Sequence, residues 1–495
     1  MQLNLQAPSG LSLFNIHQIM NKVFNKTKIV ATVGPASNTK EKLHELIVSG
    51  VNVFRLNFSH GTHEQHQEVI NHIRDLNNTF KYNVSILQDL QGPKIRIGNV
   101  ENNSAEIKEG DDFAITVEQE IMGNKNRVST TYTSLPRDVK AGDTILIDDG
   151  NIELRVYKVE GLEVHTKVVF GGILKSRKGM NLPDTDISEP SLTKKDRIDL
   201  EFGLKNEVDW VAISFVRKPG DVQELKSIIQ DSGKASKVVA KIERPEAIKN
   251  IDGIIAESDA LMVARGDLGV EIQMEDVPMH QKMIVKKCNA KARPVIIATQ
   301  MMESMIENPR PTRAEANDVA NAVLDGADAV MLSAETASGK YPIQAIQSMT
   351  KIIRAVESSA DIYNKYYKPD LQDPNFTSVM LVESACKMAM DTQAKAIVAM
   401  TNSGYTAFKL SRHRPEADIF AFTDNKAMLT TLNLVWGVRA YYYNKKHSTN
   451  ATFKDMEQKL LKEGHLRKGN VFINTASMPF EAHKKTNVVK IGVVE

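Results

Sequence analysis

The sequence predicts an α/β fold centred on a closed barrel of eight parallel strands, the TIM (β/α)8 barrel. Eight short runs of apolar, mostly β-branched residues recur along the chain, and most gaps between them carry a helical pattern. The apolar residues in each run are nearly continuous, as in parallel strands buried on both faces. Eight successive βα units favour closure into a barrel over a doubly wound open sheet.

The eight predicted strands are KIVATVG (28–34), VNVFRLNF (51–58), VSILQDL (84–90), DWVAISFV (209–216), KVVAKIE (237–243), ALMVARGD (260–267), PVIIATQ (294–300) and AVMLSAE (329–335). The clearest helix lies between the last two. Thr312 and Glu315 have the spacing of a capping box at its start. Gly326 is the type of residue that ends a helix.

A long stretch between Leu90 and Asp209 interrupts this alternation of strands and helices. It contains β-like segments such as AGDTILIDDGNIELRVYKVEG, with turn signals at Asp149-Gly150 and Gly171-Gly172. We therefore expect a small inserted β-barrel domain over 94–190. Because the insertion follows a barrel strand, it lies at the C-terminal face of the barrel, where it can act as a lid.

The remaining segments complete the expected domain organisation. Strands and helices alternate again after about residue 360, which predicts a separate C-terminal α/β domain over 360–495. The barrel then comprises 22–93 and 191–359. Residues 1–21 have no basic start and no convincing apolar segment of a signal peptide, so we expect a disordered N-terminal extension.

The composition excludes several classes of protein. The 495 residues are 42% hydrophobic and 25% charged, with a net charge of +2, which gives no sign of nucleic acid or membrane as a main partner. No apolar run reaches the ~20 residues of a membrane-spanning helix. The two cysteines, Cys288 and Cys386, exclude a disulfide scaffold and favour a cytoplasmic protein with reduced thiols.

Polar side chains stand where the predicted strands end, which is where TIM barrels carry their active sites. Any one of them has a structural explanation: Arg55 could pair with a neighbouring carboxylate, and Lys241 and Glu243 could neutralise each other. Charges at the ends of so many buried strands instead predict a polar ligand. The set is Arg55, Asn57, Ser59, Asp89, Ser214, Lys241, Glu243, Asp267, Thr299, Ser333 and Glu335.

These residue types indicate phosphate and metal chemistry. Glu243 and Asp267 end adjacent strands, and two carboxylates supplemented by water suit Mg²⁺ or Mn²⁺. Arg55 and Lys241 add positive charge beside them. This combination is typical of sites that transfer a phosphoryl group or stabilise an enolate.

The chain resembles the pyruvate kinase family from about Lys26 to its end. The segments that carry the resemblance are ATVGPAS (31–37), RLNFSHGTHE (55–64), SRKGMNLP (176–183), ISFVR (213–217), KIERPEAI (241–248), LMVARGDLGVEI (261–272), ATQMMESM (298–305) and PTRAEANDVANAVLDGADAVMLSAETASGKYP (311–342). The resemblance implies transfer of the phosphoryl group of phosphoenolpyruvate to ADP, giving pyruvate and ATP. It also implies a homotetramer.

The resemblance further implies a role for each matching residue. Lys241 and Arg55 would contact the phosphoryl group, and Glu243 and Asp267 would bind the divalent metal. Gly266, Asp267 and Thr299 would hold the substrate carboxylate, with Thr299 and Ser333 as candidates for proton transfer to the enolate. The nucleotide would contact Pro35, His60, Arg96 and Lys178.

One segment departs from the K⁺-dependent members of the family. Asn57, Ser59 and Asp89 match three K⁺-binding positions, but Leu90 at the fourth has no side-chain oxygen, and Lys94 replaces the usual Glu of GPEIR. A lysine ammonium is a tethered monovalent cation. We therefore expect activity without K⁺; a neutral surface substitution is the alternative.

Two further expectations concern regulation and the competing function. Thr401, Asn402, Ser403, Gly404 and Thr406 match the family's effector loop, which binds a sugar phosphate, although a capped helix start would look similar. The alternative function is a metal-dependent pyruvate aldolase or lyase on a similar barrel. Such an enzyme would share the Glu/Asp pair but would need neither the lid nor Lys178.

Overall fold

Eight parallel strands close into the predicted barrel in the computed structural model, which describes residues 24–368, 371–445, 448–478 and 485–495. The expected N-terminal extension, 1–21, lies outside these residues. Each strand pairs with its neighbours in chain order, and the eighth pairs with the first. The strands are Lys28–Thr32, Val53–Asn57, Ser85–Asp89, Trp210–Ile213, Lys237–Ile242, Ala260–Ala264, Val295–Ala298 and Ala329–Leu332.

Helices surround the barrel and bury the outer face of its strands. The helix after the seventh strand begins with the predicted capping box of Thr312 and Glu315 and ends at Gly326, whose φ is 96°. The helices are Lys40–Ser49, His63–Phe80, Lys194–Lys205, Pro219–Asp231, Pro245–Lys249, Ile251–Glu257, Arg265–Glu271, Val277–Lys291, Arg313–Asp325, Ala334–Ala337 and Pro342–Glu357. Inside the barrel, Val30, Leu87 and Trp210 are among the buried residues that fill the axis.

The inserted segment has a core of its own and forms two sheets. Six of its strands make one sheet and two make the other. The strands are Ala105–Ile107, Asp112–Thr116, Arg127–Ser129, Thr144–Ile147, Ile152–Glu160, Glu163–Phe170, Gly172–Leu174 and Met180–Asn181, with a short helix at Leu135–Asp138. Both connections to the barrel lie at the strand ends that carry the predicted site.

The C-terminal segment forms the predicted α/β domain with a mainly parallel sheet. Four strands are parallel, and the last strand pairs antiparallel at one edge. The strands are Ala396–Met400, Asp418–Thr423, Val438–Tyr442, Val471–Ala476 and Val488–Val493, and the helices are Phe376–Asp391, Tyr405–Ser411, Lys426–Thr431 and Thr449–Lys462.

The C-terminal domain contacts the N-terminal end of the barrel, opposite the predicted site. The buried Arg414 pairs with Asp328 at the start of the eighth strand, with 3.0 Å between Nη2 and Oδ2. Cys288 and Cys386 are both free and buried. None of the helices that the structure describes is long and apolar enough to cross a membrane.

Candidate active site

Four charged side chains from three barrel strands meet at the C-terminal mouth of the barrel. The Nε of Arg55 donates to Oδ2 of Asp89 at 2.6 Å. The ammonium of Lys241 lies 3.3 Å from Oδ1 of the same Asp89 and 2.8 Å from Oε1 of Glu243. Both structural pairings that the sequence left open are therefore present, and they join into one network.

A chain of hydrogen bonds orients Lys241 within this network. Its ammonium donates to Oγ of Ser214 at 2.7 Å, and the Ser214 hydroxyl donates to the carbonyl of Leu90 at 2.7 Å. All of these groups are nearly inaccessible to solvent. Because a lysine has four rotatable bonds, such fixed partners are needed to hold the charge in one place.

The buried charges shift one another's pKa values. Burial lowers the pKa of Lys241, but the carboxylates of Asp89 and Glu243 outweigh it and hold the pKa above its ordinary value. Burial would raise the pKa of Asp89, yet Lys241 and Arg55 keep it below the ordinary value. Lys241 is therefore cationic and Asp89 anionic at neutral pH.

The residues present fit a divalent metal. Oε2 of Glu243 accepts a hydrogen bond from the backbone N–H of Phe215 at 2.7 Å, which leaves Oε1 beside Lys241. Asp267 is partly exposed, and its negative charge raises the pKa of Glu243 after the larger effect of burial, so the two carboxylates interact. Two hard oxygen donors that interact in this way, one of them partly exposed, are a suitable set for Mg²⁺ or Mn²⁺.

Such a site would take only two carboxylates from the protein. Within the described ranges, no group of three or more His, Cys, Asp or Glu side chains could hold a metal ion. The remaining ligand positions would therefore be filled by water and substrate, as is usual for Mg²⁺.

Thr299 and Gly266 lie together at the ends of adjacent strands. The backbone N–H of Gly266 donates to Oγ1 of Thr299 at 2.7 Å. Thr299 and Gln300 both have positive φ, 67° and 52°, which is a strained conformation for such residues. Ser333 follows the eighth strand, and its backbone N–H donates to the buried carboxylate of Glu335 at 2.7 Å.

The residues of the expected K⁺ region lie around the same network. Oδ1 of Asn57 accepts from the backbone N–H of Ser59 at 3.1 Å. The Nζ of Lys94 lies 3.9 Å from Oδ1 of Asp267, so this ammonium approaches one of the two carboxylates expected to bind the metal. The side chain of Leu90 is buried, and its carbonyl is the acceptor for Ser214.

The expected nucleotide residues divide between barrel and lid. His60 is exposed at the barrel mouth, where burial and then the charges of Arg96, Lys94 and Arg55 lower its pKa. Arg96 donates to the carbonyl of Arg177 at 2.9 Å. These groups form a positively charged region between the two domains.

The other two members of the nucleotide set are Lys178 in the lid and Pro35 in the barrel. Lys178 pairs with Asp148 inside the lid at 2.7 Å, so its charge is directed to a lid residue. Pro35 lies in the turn after the first strand.

The expected effector loop belongs to the C-terminal domain, on a different sheet from the barrel site. Gly404 precedes the helix Tyr405–Ser411 with φ 81°, and its N–H donates to Oγ1 of Thr401 at 3.1 Å. Asn402 donates to Asp424 at 2.9 Å, and Oγ1 of Thr406 lies 2.8 Å from Oγ1 of Thr486. Ser403 completes the loop. The barrel and loop candidates thus form two separate groups.

The sequence analysis missed a buried ion pair beside Glu243 and Asp267. Arg244 directly follows Glu243, and its Nη1 lies 2.7 Å from Oε2 of Glu271. Both side chains are only 2% exposed. A charged residue next to a strand-end carboxylate was the available signal, but its partner is distant in sequence and could not be identified from spacing.

Comparisons with known proteins match the chain to one family over both its barrel and its C-terminal segment. The family description "pyruvate kinase, barrel domain" matches residues 24–346, and "pyruvate kinase, alpha/beta domain" matches 380–492. A pyruvate kinase of Clostridium acetobutylicum is 42% identical over 472 residues, covering 95% of this chain and 100% of the relative. One from Clostridium perfringens is 44% identical over 475 residues, covering 94% and 99%.

A solved structure extends the likeness to the fold. The crystal structure of a pyruvate kinase from Cryptosporidium parvum superposes with a TM-score of 0.89 at 36% identity, covering 98% of both chains.

Proposed function

Because this chain belongs to the pyruvate kinase family, we propose that its barrel site performs the family's reaction with the residues assigned below. The chain transfers the phosphoryl group of phosphoenolpyruvate to ADP, giving pyruvate and ATP in glycolysis. The observation that carries the assignment is the network of Arg55, Asp89, Lys241 and Glu243 at the barrel mouth. The family match across both barrel and C-terminal domain disfavours the aldolase alternative.

Lys241 and Arg55 bind the phosphoryl group in this proposal. Asp89 holds both cations in place, so the charge that meets the phosphoryl oxygens is positioned before substrate arrives. Glu243 and Asp267 hold Mg²⁺ or Mn²⁺, the kind of cofactor that the family generally uses. When bound, the ion neutralises negative charge that develops on the transferring group.

Binding of the substrate carboxylate and proton transfer to the enolate are assigned to residues that follow the sixth, seventh and eighth strands. Gly266, Asp267 and Thr299 bind the carboxylate of phosphoenolpyruvate or pyruvate. Thr299 and Ser333 pass a proton to the enolate carbon. The support is the direct contact of Thr299 with Gly266 and the strained backbone of Thr299, which is typical of functional sites.

Nucleotide binding is assigned to the region between barrel and lid. Pro35, His60, Arg96 and Lys178 contact ADP or ATP. The lowered pKa of His60 keeps it neutral at pH 7, so Arg96 supplies charge for the phosphates, and Lys178 does so once it exchanges Asp148 for the nucleotide. Lid closure excludes water, which would otherwise hydrolyse the phosphoryl donor.

Monovalent cation use is the point where we expect a departure within the family. Lys94 places its ammonium within 3.9 Å of Asp267, so the site already holds a fixed monovalent charge. We propose that K⁺ is not required, and that Asn57, Ser59, Asp89 and Leu90 serve to orient their neighbours.

The remaining assignments concern organisation and location. We propose the domain limits 22–93 with 191–359 for the barrel, 94–190 for the lid and 360–495 for the C-terminal domain. Further proposals are a cytoplasmic homotetramer and a sugar-phosphate effector at Thr401, Asn402, Ser403, Gly404 and Thr406. Neither nucleic acid nor a membrane is expected as a partner.

One assay tests the proposed function. ATP formation from phosphoenolpyruvate and ADP is measured with Mg²⁺, with K⁺ and with tetramethylammonium at equal ionic strength. The expected result is equal, metal-dependent ATP formation in both salts. Cleavage of a pyruvate aldol without ATP formation would instead support the aldolase alternative.

A further inference from the structure

Arg244 is a buried arginine that contacts two glutamates and the end of the lid domain. Its Nη1 binds Glu271, and its Nη2 donates to the carbonyls of Thr185 at 3.1 Å and Leu182 at 3.4 Å. Nη2 also lies 3.2 Å from Oε1 of Glu246. Leu182 and Thr185 belong to the return segment, the stretch of chain that leads from the last lid strand, Met180–Asn181, back to the barrel. Arg244 therefore fastens this return segment to the residue next to Glu243.

Glu271, the other member of the ion pair, is close to Asp267, as Arg244 is close to Glu243. It lies one helical turn after Asp267 in the helix Arg265–Glu271. Its Oε1 accepts a hydrogen bond from Nδ2 of Asn181 at 2.8 Å, in the last lid strand. The ion pair thus joins Arg244, the neighbour of Glu243, to the helix that carries Asp267. Arg244 and Glu271 also both contact the lid.

Hydrogen bonds from both the barrel and the lid hold the return segment. Nη2 of Arg217 donates to the carbonyl of Glu189 at 2.7 Å, and Nη1 donates to the carbonyl of Ile187. The N–H of Ser188, between them, donates to Asp138 of the lid at 3.0 Å. A rotation of the lid must therefore be transmitted through this segment to the barrel groups that hold it.

A buried ion pair is weak evidence for stability, because removing two charges from water offsets most of their attraction. Its geometric effect is clearer here, because it ties the backbone neighbour of Glu243 to the helix that carries Asp267. The cleft between lid and barrel is lined by Asp267, Lys94, Arg244 and Glu271, so the ion pair lies where lid movement and cation access meet.

We propose that the Arg244–Glu271 ion pair is a positioning element that sets the separation of Glu243 and Asp267 and couples it to the position of the lid. The proposal rests on the proposed function only in taking these carboxylates as the metal ligands. Coupling of this kind is reciprocal: cation binding favours one lid position, and that lid position strengthens cation binding.

The first test measures Mn²⁺ binding to the full chain without substrates, from the electron paramagnetic resonance signal of free Mn²⁺. The double variant Arg244→Gln/Glu271→Gln removes both charges of the buried pair, and Glu246, the other acidic partner of Arg244, is partly exposed. The dissociation constant is expected to rise about 10-fold or more, as for other partners behind metal ligands. A dissociation constant within twofold of the unmodified chain would overturn the proposal.

A matched control separates positioning from general destabilisation. Arg414 and Asp328 form a comparably buried ion pair at the opposite end of the barrel. The double variant Arg414→Gln/Asp328→Asn is expected to leave Mn²⁺ affinity unchanged while its thermal midpoint falls. An equal loss of Mn²⁺ affinity in this control would show that loss of any buried ion pair suffices, and would overturn the specific role.

The second test removes only the hydrogen bond between Asn181 of the lid and Glu271. Asn181→Ala keeps the ion pair intact. Spin labels at Lys125→Cys in the lid and Asp231→Cys on the barrel report the distance between domains, and both native thiols are buried. Mg²⁺ is expected to shift this distance in the parent chain and to shift it less after Asn181→Ala. An identical shift in both would overturn the coupling.

These outcomes are separable from failure of the proposed function. If the parent chain binds Mn²⁺ but forms no ATP from phosphoenolpyruvate and ADP, the catalytic assignment fails while the binding measurements still decide the positioning role.

Discussion

The ammonium of Lys241 lies 3.3 Å from Oδ1 of Asp89, whose other oxygen receives the guanidinium of Arg55. One carboxylate thus holds two cations from different strands at the mouth of the barrel. Two like charges so close together would repel strongly in this buried setting without it. Asp89 is therefore the group on which the positive face of the site depends.

Replacing Asp89 should lower kcat more than it weakens substrate binding. Asp89→Asn keeps the size of the side chain but removes its charge, so Arg55 and Lys241 separate. We expect kcat to fall by roughly 10²-fold, the scale for one electrostatic group in an active site. Steady-state kinetics checks this. Asp259→Asn, at the opposite end of the barrel, is the control, and an equal loss there would contradict the assignment.

Lys241→Met should abolish most phosphoryl transfer without weakening metal binding. The variant removes the charge that faces the phosphoryl group, and we expect kcat to fall by roughly 10³-fold or more. Because the ammonium competes with a cation for Glu243, Mn²⁺ should bind at least as tightly as before. Stopped assays and Mn²⁺ titration measure the two effects. Lys237→Met, at the start of the same strand, should stay near full activity.

Lys94→Glu should make the enzyme dependent on K⁺. The substitution replaces a fixed positive charge near Asp267 with a negative one, which a bound monovalent cation can then neutralise. We expect low activity in tetramethylammonium and recovery of roughly 10-fold or more in K⁺, on the scale of a charge–charge interaction near a surface. Rates in the two salts at equal ionic strength give the answer. A parent chain that itself needs K⁺ would refute the idea.

Lys28→Met should change how stability depends on pH. The fully buried Lys28 ammonium donates to the carbonyl of Val438 at 2.8 Å. Burial and then Arg439 lower its pKa to about 7, with Lys26 acting in the same sense and Glu357 and Asp418 opposing. Between that value and its ordinary pKa of 10.5, the unfolded chain binds more protons, so stability rises with pH by up to about 1.4 kcal/mol per unit.

The variant should lose this slope. Thermal midpoints measured from pH 7 to pH 10 are expected to rise less steeply for Lys28→Met than for the parent chain, with the largest gain over the parent at pH 7. Parallel curves for the two proteins would show that Lys28 stays protonated in the folded state.

Local pattern was enough to predict most of the architecture. The near-continuous apolar runs specify buried parallel strands, and the Thr312–Glu315 capping box and Gly326 appear in the structure as expected. These features depend on neighbours within a few residues, which the sequence displays directly. The same reasoning placed Lys241 and Glu243 at the end of strand five, but strand six ends at Ala264, and Asp267 lies in the first turn of the helix Arg265–Glu271.

Only the tertiary structure decided which charges meet. Asp89 receives both Arg55 and Lys241, Lys94 approaches Asp267, and Arg244 finds Glu271 and the chain returning from the lid. Each pairing joins residues far apart in sequence, and several carboxylates would have suited each cation chemically. Barrel closure and lid placement select among them, because a buried charge is stable only beside the partner that the fold brings within a few ångströms.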